Sequence, residues 1–118
     1  MRKITITGGT GFVGRSLARH LRRQGYEVSV FARPSARADA VQAQGIRFVP
    51  GDVRDRKAVH DALAGQDAVV HLAAAYRSEA RPYADFHAIN VMGSRNVLDA
   101  AVANDLQRVV HVSTTGVY

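Results

Sequence analysis

Residues 4–14 read ITITGGTGFVG, an alternating β-branched run that gives way to four glycines within seven positions. The Ile/Thr alternation is a strand pattern. The residues that follow, FVGRSLARHLRRQG (12–25), carry Val13, Leu17 and Leu21 at i, i+4 and i+8 with arginines opposite. That spacing predicts an amphipathic helix stopped by Gly25. Both G-x-G-x-x-G (Gly9, Gly11, Gly14) and G-x-x-G-x-x-G (Gly8, Gly11, Gly14) fit the intervening turn. Between a strand and a helix, one such glycine permits the turn, one lets a pyrophosphate approach the backbone, and one lets helix pack on strand. The unpaired N–H groups and partial positive charge at the helix start favour the same anion. A ligand-free turn would lose ~0.5–1 kcal/mol of backbone entropy per glycine with nothing in return. Nucleotide binding is therefore the expectation.

Outward from this turn the chain keeps alternating short β-rich runs with helical stretches. KITIT (3–7), EVSVF (27–31), IRFVP (46–50), DAVVHL (67–72) and RVVHVS (108–113) read as five strands, mostly apolar on both faces. ARADAVQAQG ends a weaker helix at Gly45, and DRKAVHDALAG follows Asp55, a good N-cap, and ends at Gly65. The longest helix is expected from about Tyr83 to Asn104, with Phe86, Asn90, Gly93, Val97 and Ala101 as a stripe facing the sheet. Strand alternating with helix predicts an α/β fold, a Rossmann-type doubly wound parallel sheet in one domain over residues 1–118.

Composition narrows the function classes. The 47% apolar content argues for a globular chain, and the absence of cysteine removes disulfides and thiolate metal sites. No apolar run approaches the ~20 residues of a membrane span. The opening MRKITITGG enters a strand directly, leaving no room for a signal peptide, so a cytoplasmic setting is expected. A net charge of +6 allows phosphate-bearing ligands or nucleic acid. The arginines are dispersed rather than clustered, so a phosphate-bearing cofactor is favoured and nucleic acid is not expected. His71 and His111 lie within strands without a carboxylate or histidine at ligand spacing, which reads as satisfied core histidines rather than a metal site.

The end of the second strand should select the cofactor, an acid there suiting a ribose 2′-hydroxyl and an arginine a 2′-phosphate. The chain has VFARPSARA, with Ala32 where an acid would stand and then Arg33 and Arg37, so NADP(H) is favoured over NAD(H). Two surface arginines in a loop are the plainer alternative.

TGGTGFVG, GDVRD (51–55), HLAA (71–74), NVMGSRNVLDAA (90–101) and VSTTGVY (112–118) follow one another along the chain. In that order they resemble the extended short-chain dehydrogenase/reductase family, of the NAD(P)-dependent epimerase/dehydratase type. The resemblance implies that Gly8, Gly11, Phe12, Val13 and Gly14 line the pyrophosphate. It implies that Asp52 and Val53 contact adenine, the Asp52 carboxylate accepting from the exocyclic amine. Ala73 and Ala74 would stay small beneath the cofactor, and Asn90 would stand near the nicotinamide end. Thr114 would be the catalytic hydroxyl that hydrogen-bonds the substrate oxygen, with Ser113 and Thr115 as neighbours on the opposite strand face. Asn90 and Asp52 also have plain readings, as a local helix-start and a turn residue.

Family members place a Tyr-x-x-x-Lys acid–base pair on the next helix and add a C-terminal substrate region. Of Tyr76, Tyr83 and Tyr118, none is followed by lysine four positions on. The expectation is an incomplete cofactor-binding part, either by itself or as part of a longer protein. By itself it would bind dinucleotide with hydride transfer nearly or wholly abolished, and self-associate through its open fifth strand or the 83–104 helix. The parent protein would act on a secondary alcohol or ketone, for example a nucleotide sugar. The alternative is a non-catalytic NAD(P)-sensing regulatory module, and a Tyr-x-x-x-Lys pair beyond Tyr118 discriminates the two. A structural or nucleic-acid-binding role rests on charge alone.

Overall fold

The computed structural model describes residues 1–8, 12–34, 38–72, 84 and 87–112. Five strands, β1 (Lys3–Thr7), β2 (Glu27–Ala32), β3 (Arg47–Pro50), β4 (Ala68–His71) and β5 (Arg108–His111), form one sheet in the order β3-β2-β1-β4-β5. All four pairings are parallel, with Ile4 opposite both Val28 and Ala68, and His71 opposite His111. This is the Rossmann-type sheet that the alternation of elements predicts. β1 lies at its centre, and there the chain reverses its course from the β2–β3 side to the β4–β5 side.

Alternation along the strands separates two cores. Ile4, Ile6, Val28, Val30 and Ala68 meet Ala18, Leu17 and Leu21 of α1 (Phe12–Arg23) and Val41 of α2 (Ala38–Gln42). Phe31 and Val69, on the other face, meet Val59 and Leu63 of α3 (Arg56–Leu63) and Val97, Ala100 and Ala101 of α4 (Gly93–Ala103). Asp55 caps α3 as expected, accepting a hydrogen bond from the Ala58 amide at 3.1 Å. Gly25, Gly45 and Gly65, the three expected helix stops, all have positive φ. Asp105, with φ 55°, plays that part after α4, where the sequence offers no glycine.

Two helix faces differ from the periodic expectation. Val13 is 60% exposed, while Ala18 is fully buried and Leu17 and Leu21 only partly so. The face that packs is rotated toward Gly14 and Ala18, whose small size lets α1 approach the sheet. In the long helix, residues Ala88–Met92 form a π-helical turn, in which the Gly93 amide bonds the Ala88 carbonyl five residues back. The extra residue shifts the phase, so Ile89 is buried and Asn90 is exposed. Asn90 therefore leaves the sheet-facing stripe on which the spacing placed it, whereas Gly93, Val97 and Ala101 remain buried. Tyr83 and Phe86 lie outside the described residues.

At the amino edge, one Asp67 carboxylate oxygen accepts from the Arg2 and Lys3 amides at 2.7 and 2.8 Å. The Asp67 main chain bonds the Lys3 carbonyl and the Gln107 amide, tying β1, β4 and β5 together. Among the described residues no helix is long and apolar enough to cross a membrane.

Candidate functional site

The carboxyl ends of the strands gather most of the described candidate residues. Gly8 follows β1, Arg33 follows β2, and Asp52 and Val53 follow β3. Phe12, Val13 and Gly14 open α1. In an open α/β sheet the ligand crevice lies at this edge, at the strand pair where the chain reverses. Gly11, Arg37, Ala73, Ala74, Ser113, Thr114 and Thr115 lie outside the described residues, as do Tyr76 and Tyr118.

Gly8 leaves β1 with φ 73°, a left-handed conformation that a side chain resists, and its amide bonds the Phe31 carbonyl at 3.1 Å. The chain is thereby turned off the sheet toward α1. No acidic side chain occupies the first turn of α1, so no charge of the helix's own offsets its positive end. The backbone at this corner suits a diphosphate by that criterion.

At the end of β3, Gly51 is required for space: a Cβ there would stand 2.5 Å from the Phe31 ring. The turn it permits carries Asp52, whose two carboxylate oxygens receive Arg54 Nε and Nη2, with a closest approach of 2.7 Å. These side-chain bonds are the main reason that the Asp52 carboxyl is held below its ordinary range. Burial opposes them, and the Arg54 amide and the charges of Arg54 and Arg33 assist. Arg33 and Asp52 thus feel one another across the β2 and β3 ends. Val53 turns its side chain inward, and its amide donates no hydrogen bond among the described residues. A backbone donor with no hydrogen bond among the described residues, next in sequence to an ionised carboxylate, is a pairing that an adenine edge can satisfy.

A second polar group sits where β1 and β4 meet. Thr7 and His71, 1% and 3% exposed, are joined by a 2.7 Å hydrogen bond between Thr7 Oγ1 and His71 Nδ1. The Leu72 amide donates to Thr7 Oγ1 at 3.1 Å. On the far side of the ring, His71 Nε2 lies 3.0 Å from Ser94 Oγ, which itself donates to the Asn90 carbonyl at 2.8 Å. A carbonyl only accepts, so with the Ser94 proton given to Asn90 the ring is assigned as the tautomer in which His71 Nε2 donates to Ser94. Nδ1 is then the bare nitrogen that accepts from Thr7. Burial, with a smaller contribution from the His111 ring 5.5 Å away, lowers the His71 pKa from 6.5 to about 4 and keeps the ring neutral.

Sequence spacing correctly reads His71 as a satisfied core histidine but misses what satisfies it, and it misplaces His111, which is exposed on the edge strand β5. It also leaves Asn96 without a role. Gly93 admits the Val53 side chain where a Cβ would stand 2.8 Å from Val53 Cγ2, and Asn96 Nδ2 donates to the Val53 carbonyl at 2.9 Å. The Asn-x-x-Gly-x-x-Asn spacing (90, 93, 96) contained the signal, because Gly93 and Asn96 lie three residues apart on one helix and both meet Val53 at the end of β3. Among the described residues no group of three His, Cys, Asp or Glu side chains is placed to hold a metal ion. A groove of about 420 Å³ lined by Lys3, Arg22, Glu27 and Arg47 opens at the opposite, amino edge and shares no residue with this site.

Known proteins resemble the chain along nearly its whole length. The sequence pattern of the NAD dependent epimerase/dehydratase family matches residues 4–118. A 2-alkyl-3-oxoalkanoate reductase of Stenotrophomonas maltophilia is 39% identical over 118 residues, covering 98% of this chain and 34% of that protein. A dTDP-glucose 4,6-dehydratase of Streptomyces niveus is 35% identical over 130 aligned positions, covering 98% of this chain and 39% of that protein. A short-chain dehydrogenase/reductase superfamily structure from Agrobacterium tumefaciens, with NAD bound, superposes with a TM-score of 0.82. It is 37% identical and covers 96% of this chain and 33% of its own. The chain thus spans about a third of the length of such relatives.

Proposed function

The chain belongs to the NAD dependent epimerase/dehydratase family, and from that premise we propose that it is the dinucleotide-binding part of an oxidoreductase, epimerase or dehydratase acting on a secondary alcohol or ketone. The observation that carries the proposal is the corner formed by Gly8 and the start of α1, whose first turn holds no acid, beside the sheet's point of reversal. There Gly8, Gly11, Phe12, Val13 and Gly14 hold the pyrophosphate. Asp52 and the Val53 amide receive adenine, Ala73 and Ala74 lie under the cofactor, and Asn90 stands at the nicotinamide end. Thr114 hydrogen-bonds the substrate oxygen. The relatives' names contain an oxoalkanoate and a nucleotide sugar, both of which present a carbonyl or hydroxyl for hydride chemistry. A cytoplasmic setting, where such dinucleotides are abundant, agrees with a cysteine-free chain.

Within this reading NADP(H) is preferred over NAD(H). Arg33 stands at the end of β2, close enough for its charge to act on Asp52, where a ribose 2′-phosphate would lie. Calorimetric titration of NADP and NAD tests both levels. Binding of neither dinucleotide removes the proposal. Arg33→Ala is expected to weaken NADP about tenfold while sparing NAD, the worth of one charge-assisted contact; an unchanged NADP/NAD ratio shows that Arg33 is not the discriminator.

Self-association is part of the same reading. Val91, Leu98 and Val102 leave an apolar strip on the π-turn and α4, and Val110 and Val112 are exposed at β5. Leu98→Lys with Val102→Lys should convert a sedimenting dimer to monomer, and a wild-type monomer at tens of micromolar contradicts this part.

A further inference from the structure

The hydrogen-bonded line from β1 through β4 to the long helix contains three side chains to which the functional reading assigns no role. Thr7, His71 and Ser94 are buried or half-buried, lie on three different elements, and are joined by hydrogen bonds of 2.7 and 3.0 Å into one line. The line ends on the carbonyl of Asn90, inside the π-helical turn.

A π-turn is less favourable than a regular α-turn and persists where something outside the helix holds it. Two anchors do so here. Gly93 is pressed against Val53, and the Asn96 amide grips the Val53 carbonyl, fixing the helix just beyond the turn to the end of β3. Ser94 Oγ occupies the Asn90 carbonyl from the side and is itself held by His71, fixing the turn to the end of β4. Asn90 is exposed because the turn has this phase.

We infer that His71, as the Nε2–H tautomer, is a positioning residue that acts through Ser94 to hold the π-turn in the phase that presents Asn90 to the nicotinamide half of the cofactor. Thr7 sets the tautomer by filling Nδ1, and Ser94 transmits it. His111 faces the same ring across the β4–β5 pair and is the other titratable group against it; Thr7 and Ser94 carry no charge. The inference rests on the placement of Asn90 in the proposed function. It says nothing about the adenine half, which the β3 end receives independently.

The test uses the complete protein and two ligands, the preferred dinucleotide and ADP-ribose, which lacks nicotinamide. Wild-type binding of ADP-ribose establishes the adenine and pyrophosphate half; its failure removes the underlying reading rather than this inference. With that half established, Ser94→Ala should weaken the dinucleotide by roughly threefold to tenfold, the worth of one hydrogen bond, and leave ADP-ribose within error. Ser94→Thr, which keeps the hydroxyl, should restore the dinucleotide affinity. Histidine-selective ¹⁵N spectra should find His71 protonated on Nε2 alone near neutral pH, with that resonance displaced in Ser94→Ala. Equal loss for both ligands would mean a structural role only and overturns the inference. Unchanged dinucleotide affinity, or a proton on Nδ1, overturns it as well. Ser94 is only half-buried and the variant is smaller, so the comparison survives even if His71 variants fail to fold.

Discussion

Asp52 and Thr7 each stand where a parallel strand reaches the carboxyl edge, yet their surroundings are opposite. Asp52 is ionised, partly wet and locked to a neighbour two residues away, with its side chain 29% and that of Arg54 39% exposed. Thr7 is neutral, dry and bonded to a residue 64 positions distant. An exposed ion pair contributes little because water screens it, typically below ~1 kcal/mol. A buried polar chain holds its geometry because each group left unpaired costs about 1–3 kcal/mol. The β3 end can therefore trade partners with an incoming ligand, while the β1–β4 junction keeps its shape whether or not one is present.

Acid separates the two regions most strongly. The His71 pKa falls on folding, so between pH 6.5 and about 4 the unfolded chain binds a proton that the folded chain refuses. Its contribution is intact above pH 6.5 and is lost as pH drops toward 4, on the order of 3 kcal/mol in all. The carboxyl of Asp52, shifted downward, loses its contribution only below its ordinary 3.8. Urea unfolding across this range should show the earlier loss in wild type and a flatter profile in His71→Gln; identical profiles would refute the assignment to His71. Next in size, Gly51→Ala should destabilise by about 1–3 kcal/mol, since the new methyl meets a fully buried Phe31 ring that has nowhere to move. A melting temperature unchanged by this variant would mean that the β3 end is as pliant as its exposed charges. The smallest effect is expected from Arg54→Ala, below ~1 kcal/mol in stability, and a larger loss would show that the pair is structural rather than exchangeable.

The five strands and three of the helix stops were legible because they depend on local pattern: β-branched runs, and glycines at positions of positive φ. The π-turn was not. Its residues Ala88–Met92 carry no local mark of an i→i+5 bond, and the phase shift moved Asn90 off a stripe that regular spacing had placed against the sheet. Val13 departed from its stripe for a related reason: spacing gives the period of a face, but close approach at Gly14 and Ala18 decides which face packs. The His71 partners were hidden because parallel pairing joins residues distant in sequence, and register alone brought His111 opposite His71. Asn96 was visible within its motif, but only the fold reveals that it grips Val53. The family resemblance was carried by order and glycine spacing, and the match over residues 4–118 agrees with it.

The bond from Asn96 to Val53 makes the two ends of the edge mechanically continuous. Val53 receives the helix through its carbonyl, and two residues before Asn96 the same helix is tied to His71 through Ser94. A base held at Val53 and a nicotinamide reaching Asn90 would rest on one helix, each end of it with its own tie to the sheet. Each half of such a ligand would meet a support already set in place, without any large movement of the chain.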